Sequence, residues 1–143
     1  GFYTEFIELA GKVNENMPYW CMGKLVRALN SHGKPLKGSK VLLVGVSYKE
    51  DIGDMRESPA LKMIELLREE GAEVSYHDRF VPELPELGLR SQALHADGAD
   101  CVVIVTAHSG IDYGEVVERA PLVVDFRNAT GAAGTTNGKV WKL

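Results

Sequence analysis

The residues best suited to chemistry lie in one short segment, Gly45-Val-Ser-Tyr-Lys-Glu-Asp-Ile-Gly-Asp-Met-Arg-Glu-Ser-Pro59. It offers an aromatic hydroxyl at Tyr48, a point cation at Lys49 and a planar cation at Arg56, the last just ahead of a helix start at Ser58-Pro59. Free amides and the positive end of a helix suit phosphate groups, and a guanidinium adds a fork of donors. Glu50, Asp51 and Asp54 stand among these cations, so a solvated loop with local ion pairs is the competing reading. The segment is not a G-x-G-x-x-G fingerprint, because it lacks the glycine pair that admits a pyrophosphate to the backbone.

Two other positions carry candidates. Asp78 closes the run Glu73–Asp78, where an acid either binds ribose hydroxyls or caps the loop that follows. Asp125 and Arg127 flank Phe126, so Arg127 pairs either with a ligand phosphate or ribose, or locally with Asp125. His32, His77, His95 and His108 show no ligand-like spacing, and Cys21 and Cys101 fit neither a zinc site nor Cys-x-x-Cys. No metal is assigned, and both thiols are expected to be buried and inert. His108 and Ser109 are neighbours without a third group, which makes no nucleophile–base pair.

These residues need a scaffold, and the hydrophobic pattern supplies one. Val41–Val46, Cys101–Ala107 and Leu122–Phe126 are nearly continuous apolar runs, as parallel strands require when helices cover both faces. Glu73–Asp78 and a short run at Val140–Lys142 read as two more strands. Ser58 and Pro59 open a helix that Gly71 stops, and a second helix runs from Tyr113 to Ala120. Arg79–Leu89, with Pro82 and Pro85, reads as loop, Ser91–Ala96 as a short helical turn, and Gly131, Gly134 and Gly138 mark a turn-rich tail.

Ahead of all this, residues 4–31 carry apolar side chains at Phe6, Leu9, Val13, Met17, Trp20, Leu25 and Leu29, with mostly three- or four-residue spacing. Pro18 predicts a kink or break near Asn16–Pro18, with a second helix continuing to Asn30 and stopping at Gly33. The whole is one doubly wound, Rossmann-like α/β domain over 36–143, with an N-terminal helical arm over 1–35. Ligands are then expected beyond the carboxyl ends of the strands.

Composition bounds the partners. With 45% hydrophobic and 25% charged residues the chain suits one soluble core, and a net charge of −4 without a basic stripe gives nucleic acid little attraction. No run is long and apolar enough for a bilayer, and no leader precedes the helical pattern, so the cytoplasm is the default compartment. The start at Gly1, with helix almost at once, is what a segment of a longer protein would show.

The segment Gly45–Leu61 closely resembles the signature of the C-terminal domain of the UDP-glucose/GDP-mannose dehydrogenase family. The similarity extends through Val74–Asp78, Ala99–Thr106 and Val123–Asn128, and Phe6–Pro18 is similar to the end of that family's long central helix. The resemblance implies an NAD-dependent oxidation of a nucleotide-sugar C6 alcohol to the carboxylate. It further implies an N-terminal NAD-binding domain, a helical dimer-forming region ending near residue 35, and a UDP-binding domain. By the same resemblance Tyr48 and Lys49 contact the substrate, Arg127 lies near it, and Arg56 reaches toward NAD. The family's nucleophilic cysteine stands in a Gly-rich segment that this sequence lacks, so neither cysteine inherits that role and the chain alone is expected not to be catalytic. Tyr48, and His77–Leu84, look more like the UDP-N-acetylhexosamine enzymes than the UDP-glucose ones. A stand-alone nucleotide-binding module that dimerises through its helical arm is the alternative reading.

Overall fold

The computed structural model describes residues 2–131 and 138–142, with side chains from Asn16 onward. The elements run α1 (Phe2–Ser31), β1 (Lys40–Val44), α2 (Ala60–Glu69), β2 (Glu73–His77), β3 (Glu83–Leu84), β4 (Leu89–Arg90), β5 (Cys101–Ile104), α3 (Tyr113–Arg119), β6 (Val123–Asp125) and β7 (Val140–Lys142). Five strands form one sheet in the order β2-β1-β5-β6-β7, and every pairing in it is parallel. The order reverses direction between β1 and β5, which is the switch point of a doubly wound sheet.

The apolar strand runs have a simple cause. Successive side chains of a strand point to opposite faces, and here each face meets its own core. Val41 and Leu43 face one core with Met63, Ile64 and Leu67 of α2, while Leu42 and Val44 face another with Val116 and Ala120. With both faces covered there is no solvent face to be polar, so the alternation vanishes from the sequence.

Helix α1 differs from expectation. It is continuous from Phe2 to Ser31 with Pro18 inside it, so the predicted break does not occur. Proline deletes one backbone bond but leaves its own φ compatible with helix. Around it Cys21, Met22, Leu25, Ala28 and Leu29 are buried in the core shared with α2 and the sheet, and Met17 packs against that core. That burial holds the helix across the lost bond. The C-terminal half of the arm is therefore part of the α/β core. Trp20, placed on the same stripe by spacing, keeps 46% of its surface exposed. Phe6, Leu9 and Val13 lie outside the described side chains.

Both predicted glycine stops are realised by paired backbone bonds. Lys34 N–H reaches the Leu29 carbonyl and Gly33 N–H the Asn30 carbonyl, and the same pattern joins Ala72 to Leu67 and Gly71 to Arg68. The stretch read as loop after β2 contains the small antiparallel hairpin β3–β4 around a tight turn at Pro85–Leu87. The helical turn expected at Ser91–Ala96 instead falls at Ala96–Gly98. In the tail, Gly134 lies outside the described residues.

Candidate functional site

The carboxyl ends of β1, β5 and β6 face one side of the molecule together with α1. There a cavity of about 210 Å³ is lined by Met17 and Cys21 of α1, by Tyr48, Glu57 and Pro59 of the loop after β1, and by Val105, Phe126 and Arg127 at the ends of β5 and β6. Two of the sequence-derived candidates, Tyr48 and Arg127, thus meet. The Arg127 Nε–H donates to the Val105 carbonyl at 2.8 Å, and its Nη2 lies 3.4 Å from the Tyr48 carbonyl. These bonds orient the guanidinium beside the cavity and leave part of its donor fork for a ligand.

The alternative for Arg127, an ion pair with Asp125, is not made. Asp125 is fully buried and is occupied by the amides of Arg127, Ala129 and Thr130 and by the Thr130 hydroxyl, at 2.7–3.1 Å. It builds the turn that aims Arg127, and its charge is satisfied there.

Lys49 is exposed and is not among the residues lining the cavity. Arg56 is exposed too, 88% at the side chain, and forms a two-pronged pair with Asp54. That pair pulls the Asp54 carboxyl down to about 2. Arg56 therefore stands apart from the cavity, on the outer side of the same loop. The N-cap of α2 falls on Pro59, one residue later than expected, and Ser58 sits just before it: its hydroxyl accepts from the Ala60 amide at 3.2 Å and donates to the Val46 carbonyl.

Asp78 resolves toward its internal role. One carboxylate oxygen accepts from the Val46 amide at 2.8 Å, the Ser47 amide at 3.2 Å and His108 Nε2 at 2.9 Å, and the other accepts from the Phe80 amide at 2.9 Å. In a dinucleotide-binding turn the amides after the first strand would face a pyrophosphate. Here Asp78 consumes two of them.

His108 is the functional-region residue that sequence reasoning missed. It is 1% exposed, and it links the loops after β1, β2 and β5. Its partners Asp78 and Asp51 lie far away in sequence, so no local spacing announces the cluster. The available signal was positional: Asp78 and His108 both follow strand ends that a parallel sheet brings together.

The cysteines behave as expected. Cys21 is 3% exposed in the cavity wall, and burial pushes its thiol up to about 11 against the opposing pull of Arg127. Burial raises the Cys101 thiol further. Iodoacetamide at pH 8 is expected to label neither cysteine in the folded protein and both in urea, read by mass spectrometry. Rapid native labelling of Cys21 would contradict the closed wall. Among the described residues no cluster of His, Cys, Asp and Glu is arranged to hold a metal.

An all-parallel doubly wound sheet with a cation-flanked cavity at its strand ends defines a Rossmann-like domain with a ligand site at its switch point. Residues 42–132 match the UDP-glucose/GDP-mannose dehydrogenase family, UDP binding domain, and the chain belongs to that family. It is 34% identical over 105 residues to a UDP-N-acetyl-D-mannosamine dehydrogenase of Methanococcus maripaludis, covering 73% of this chain and 24% of that protein. The structure of a UDP-D-ManNAc dehydrogenase from Pyrococcus horikoshii superposes with a TM-score of 0.78 at 26% identity, over 95% of this chain and 32% of that one. An NDP-N-acetyl-D-galactosaminuronic acid dehydrogenase from Methanosarcina mazei gives 0.80 at 26% identity, over 94% of this chain and 30% of that one. The chain thus spans about a quarter to a third of the length of these relatives. Among the described residues no helix is long and apolar enough to cross a membrane.

Proposed function

We propose that this chain is the nucleotide-binding part of an NAD-dependent UDP-sugar 6-dehydrogenase acting on a UDP-N-acetylhexosamine or UDP-glucose. One observation carries the reading. An exposed aromatic, Tyr48, and a guanidinium, Arg127, converge on a mainly apolar cavity at the carboxyl ends of parallel strands. A nucleoside diphosphate has the complementary features, a flat ring with a polar edge and a doubly charged tail. Lys49, next along the loop from Tyr48, supplies the second cation.

The chain's own residues bind and orient in this reading, and the chemistry comes from elsewhere in the protein. Both cysteines are buried with raised thiols, which is the wrong setting for a nucleophile. NAD, when bound, accepts hydride from the sugar. Among the described residues, the exposed edge of Arg56 suits a cofactor phosphate. The turn after β1 has no room for a pyrophosphate on its amides, since Asp78 already occupies those of Val46 and Ser47. Most of the cofactor is then held by a separate N-terminal domain. Tyr19, Trp20 and Val26, exposed on α1, suit a homodimer contact along that helix.

Lys49→Ala in the intact protein is expected to weaken UDP binding by ~1–3 kcal/mol, the range for a lost charge-assisted bond, measured by calorimetry. Arg56→Ala should raise the KM for NAD more than that for the UDP-sugar. Unchanged UDP affinity in Lys49→Ala would return that residue to the solvated surface.

A further inference from the structure

The buried cluster under the Tyr48–Lys49 loop is not used by the reading above, and its geometry assigns it a task. The loop is an arch of three residues, Tyr48, Lys49 and Glu50, between Ser47 and Asp51. The first foot is pinned: the Ser47 amide donates to Asp78, its carbonyl accepts from the Thr106 hydroxyl, and its own hydroxyl donates to the Lys49 carbonyl at 3.0 Å. The second foot is pinned by His108, whose Nδ1 accepts the Asp51 backbone amide at 2.8 Å. Asp51 has a φ of 59°, in the left-handed region, which an aspartate enters more readily than most side chains but still at a cost, so the hold at its amide matters.

The bonding also defines the state of the ring. Nδ1 accepts an N–H, so it carries a lone pair, and the proton sits on Nε2, 2.9 Å from Asp78 and 3.2 Å from the Ser47 hydroxyl. The Phe80 ring packs on the imidazole at 4.8 Å between centroids, and the His108 carbonyl accepts the Tyr113 hydroxyl at 2.9 Å, so the ring has little freedom to turn. The Asp51 carboxylate is tied separately, accepting the Ser109 amide and hydroxyl, each at 2.9 Å.

We propose that His108 is a positioning residue for the nucleotide site: as the Nε2–H tautomer, backed by Asp78, it holds Asp51 left-handed and so sets the arch that presents Tyr48 and Lys49. This rests on the reading of that loop as the nucleotide contact. His108 touches no ligand itself. Its effect passes through Nδ1, which separates positioning from mere stability.

Two substitutions divide the ring's functions. His108→Asn places an amide oxygen where Nδ1 stands and keeps the acceptor for Asp51, but loses the donor to Asp78. His108→Gln reaches the Nε2 position and keeps that donor, but loses the acceptor. UDP affinity is measured by calorimetry on the intact wild type, both variants and Lys49→Ala, with urea midpoints alongside. The expected result is binding within about threefold of wild type for His108→Asn and at least tenfold weaker for His108→Gln, although both midpoints fall. Equal losses that track the midpoints, or wild-type binding by His108→Gln while Lys49→Ala is weakened, would overturn the inference and leave the nucleotide site standing. Unaltered binding in Lys49→Ala returns Lys49 to the solvated surface and overturns this inference too, because the arch then presents no cation to the nucleotide. A measurement on the wild type needs no variant to fold: NMR should show a scalar coupling across the hydrogen bond from the Asp51 amide nitrogen to His108 Nδ1. A proton found on Nδ1 instead would sink the proposal.

Discussion

Asp78→Ala is expected to lower the folding stability by about 3–5 kcal/mol, the range for removing one member of a buried charged group that others depend on. The carboxylate is 1% exposed and accepts four hydrogen bonds, from the amides of Val46, Ser47 and Phe80 and from His108. Alanine leaves all four donors without that acceptor, three of them buried and the Phe80 amide partly so, and each unsatisfied buried group costs about 1–3 kcal/mol before any relaxation. Asp78→Asn keeps the shape but not the pattern. Its oxygen replaces one carboxylate oxygen, and its amide hydrogens then face a donor on the other side, so a smaller loss of ~1–3 kcal/mol follows. Urea denaturation of the intact protein, with the slope compared between variants, measures both. A loss below about 1 kcal/mol for Asp78→Ala would show that water or rearranged loops replace the carboxylate at little cost.

Gly45→Ala carries the second large effect. Gly45 follows β1 directly with φ at +75°, and a Cβ built there would overlap the Thr106 carbonyl oxygen. Two penalties therefore add. A left-handed non-glycine residue costs about 1–3 kcal/mol, and displacing packed backbone costs about 1–3 kcal/mol more, so ~2–6 kcal/mol is expected. The close approach is structural in origin: the Val44 carbonyl accepts the Val105 amide at 3.1 Å, which draws the ends of β1 and β5 together at the switch point. A side chain at 45 pushes those ends apart and opens the loop that starts there, so UDP affinity should fall along with the urea midpoint. Near-wild-type stability in Gly45→Ala would mean the β1 and β5 ends separate more easily than their packing implies.

Much of this protein is local, and local features are legible in a sequence. Three apolar runs located β1, β5 and β6, because strands covered on both faces need no polar alternation. Gly33 and Gly71 marked the helix stops, because the bonds that close a helix need a residue free to turn left-handed. The loop from Gly45 to Pro59 was legible as a cation-bearing strand-to-helix connection, and the tertiary structure puts Tyr48 and Arg127 beside one cavity while leaving Lys49 off its lining and Arg56 on the outer side.

What only the tertiary structure decided depends on residues distant in sequence. Pro18 read locally as a break, yet the helix runs on because Cys21, Met22 and Leu25 are buried against a sheet formed much later in the chain. The local ion pair open to Arg127 is not made because the Thr130 hydroxyl and three amides gather around the Asp125 carboxylate. His108, without a suggestive neighbour in sequence, became the link among three loops because parallel strands end side by side, and hydrogen bonding there depends on distance in space and not on spacing along the chain. Periodicity and turn chemistry act over a few residues and so determine the elements; satisfaction of buried polar groups acts across the assembled sheet ends, and it determines how the loop of Tyr48 and Lys49 is held.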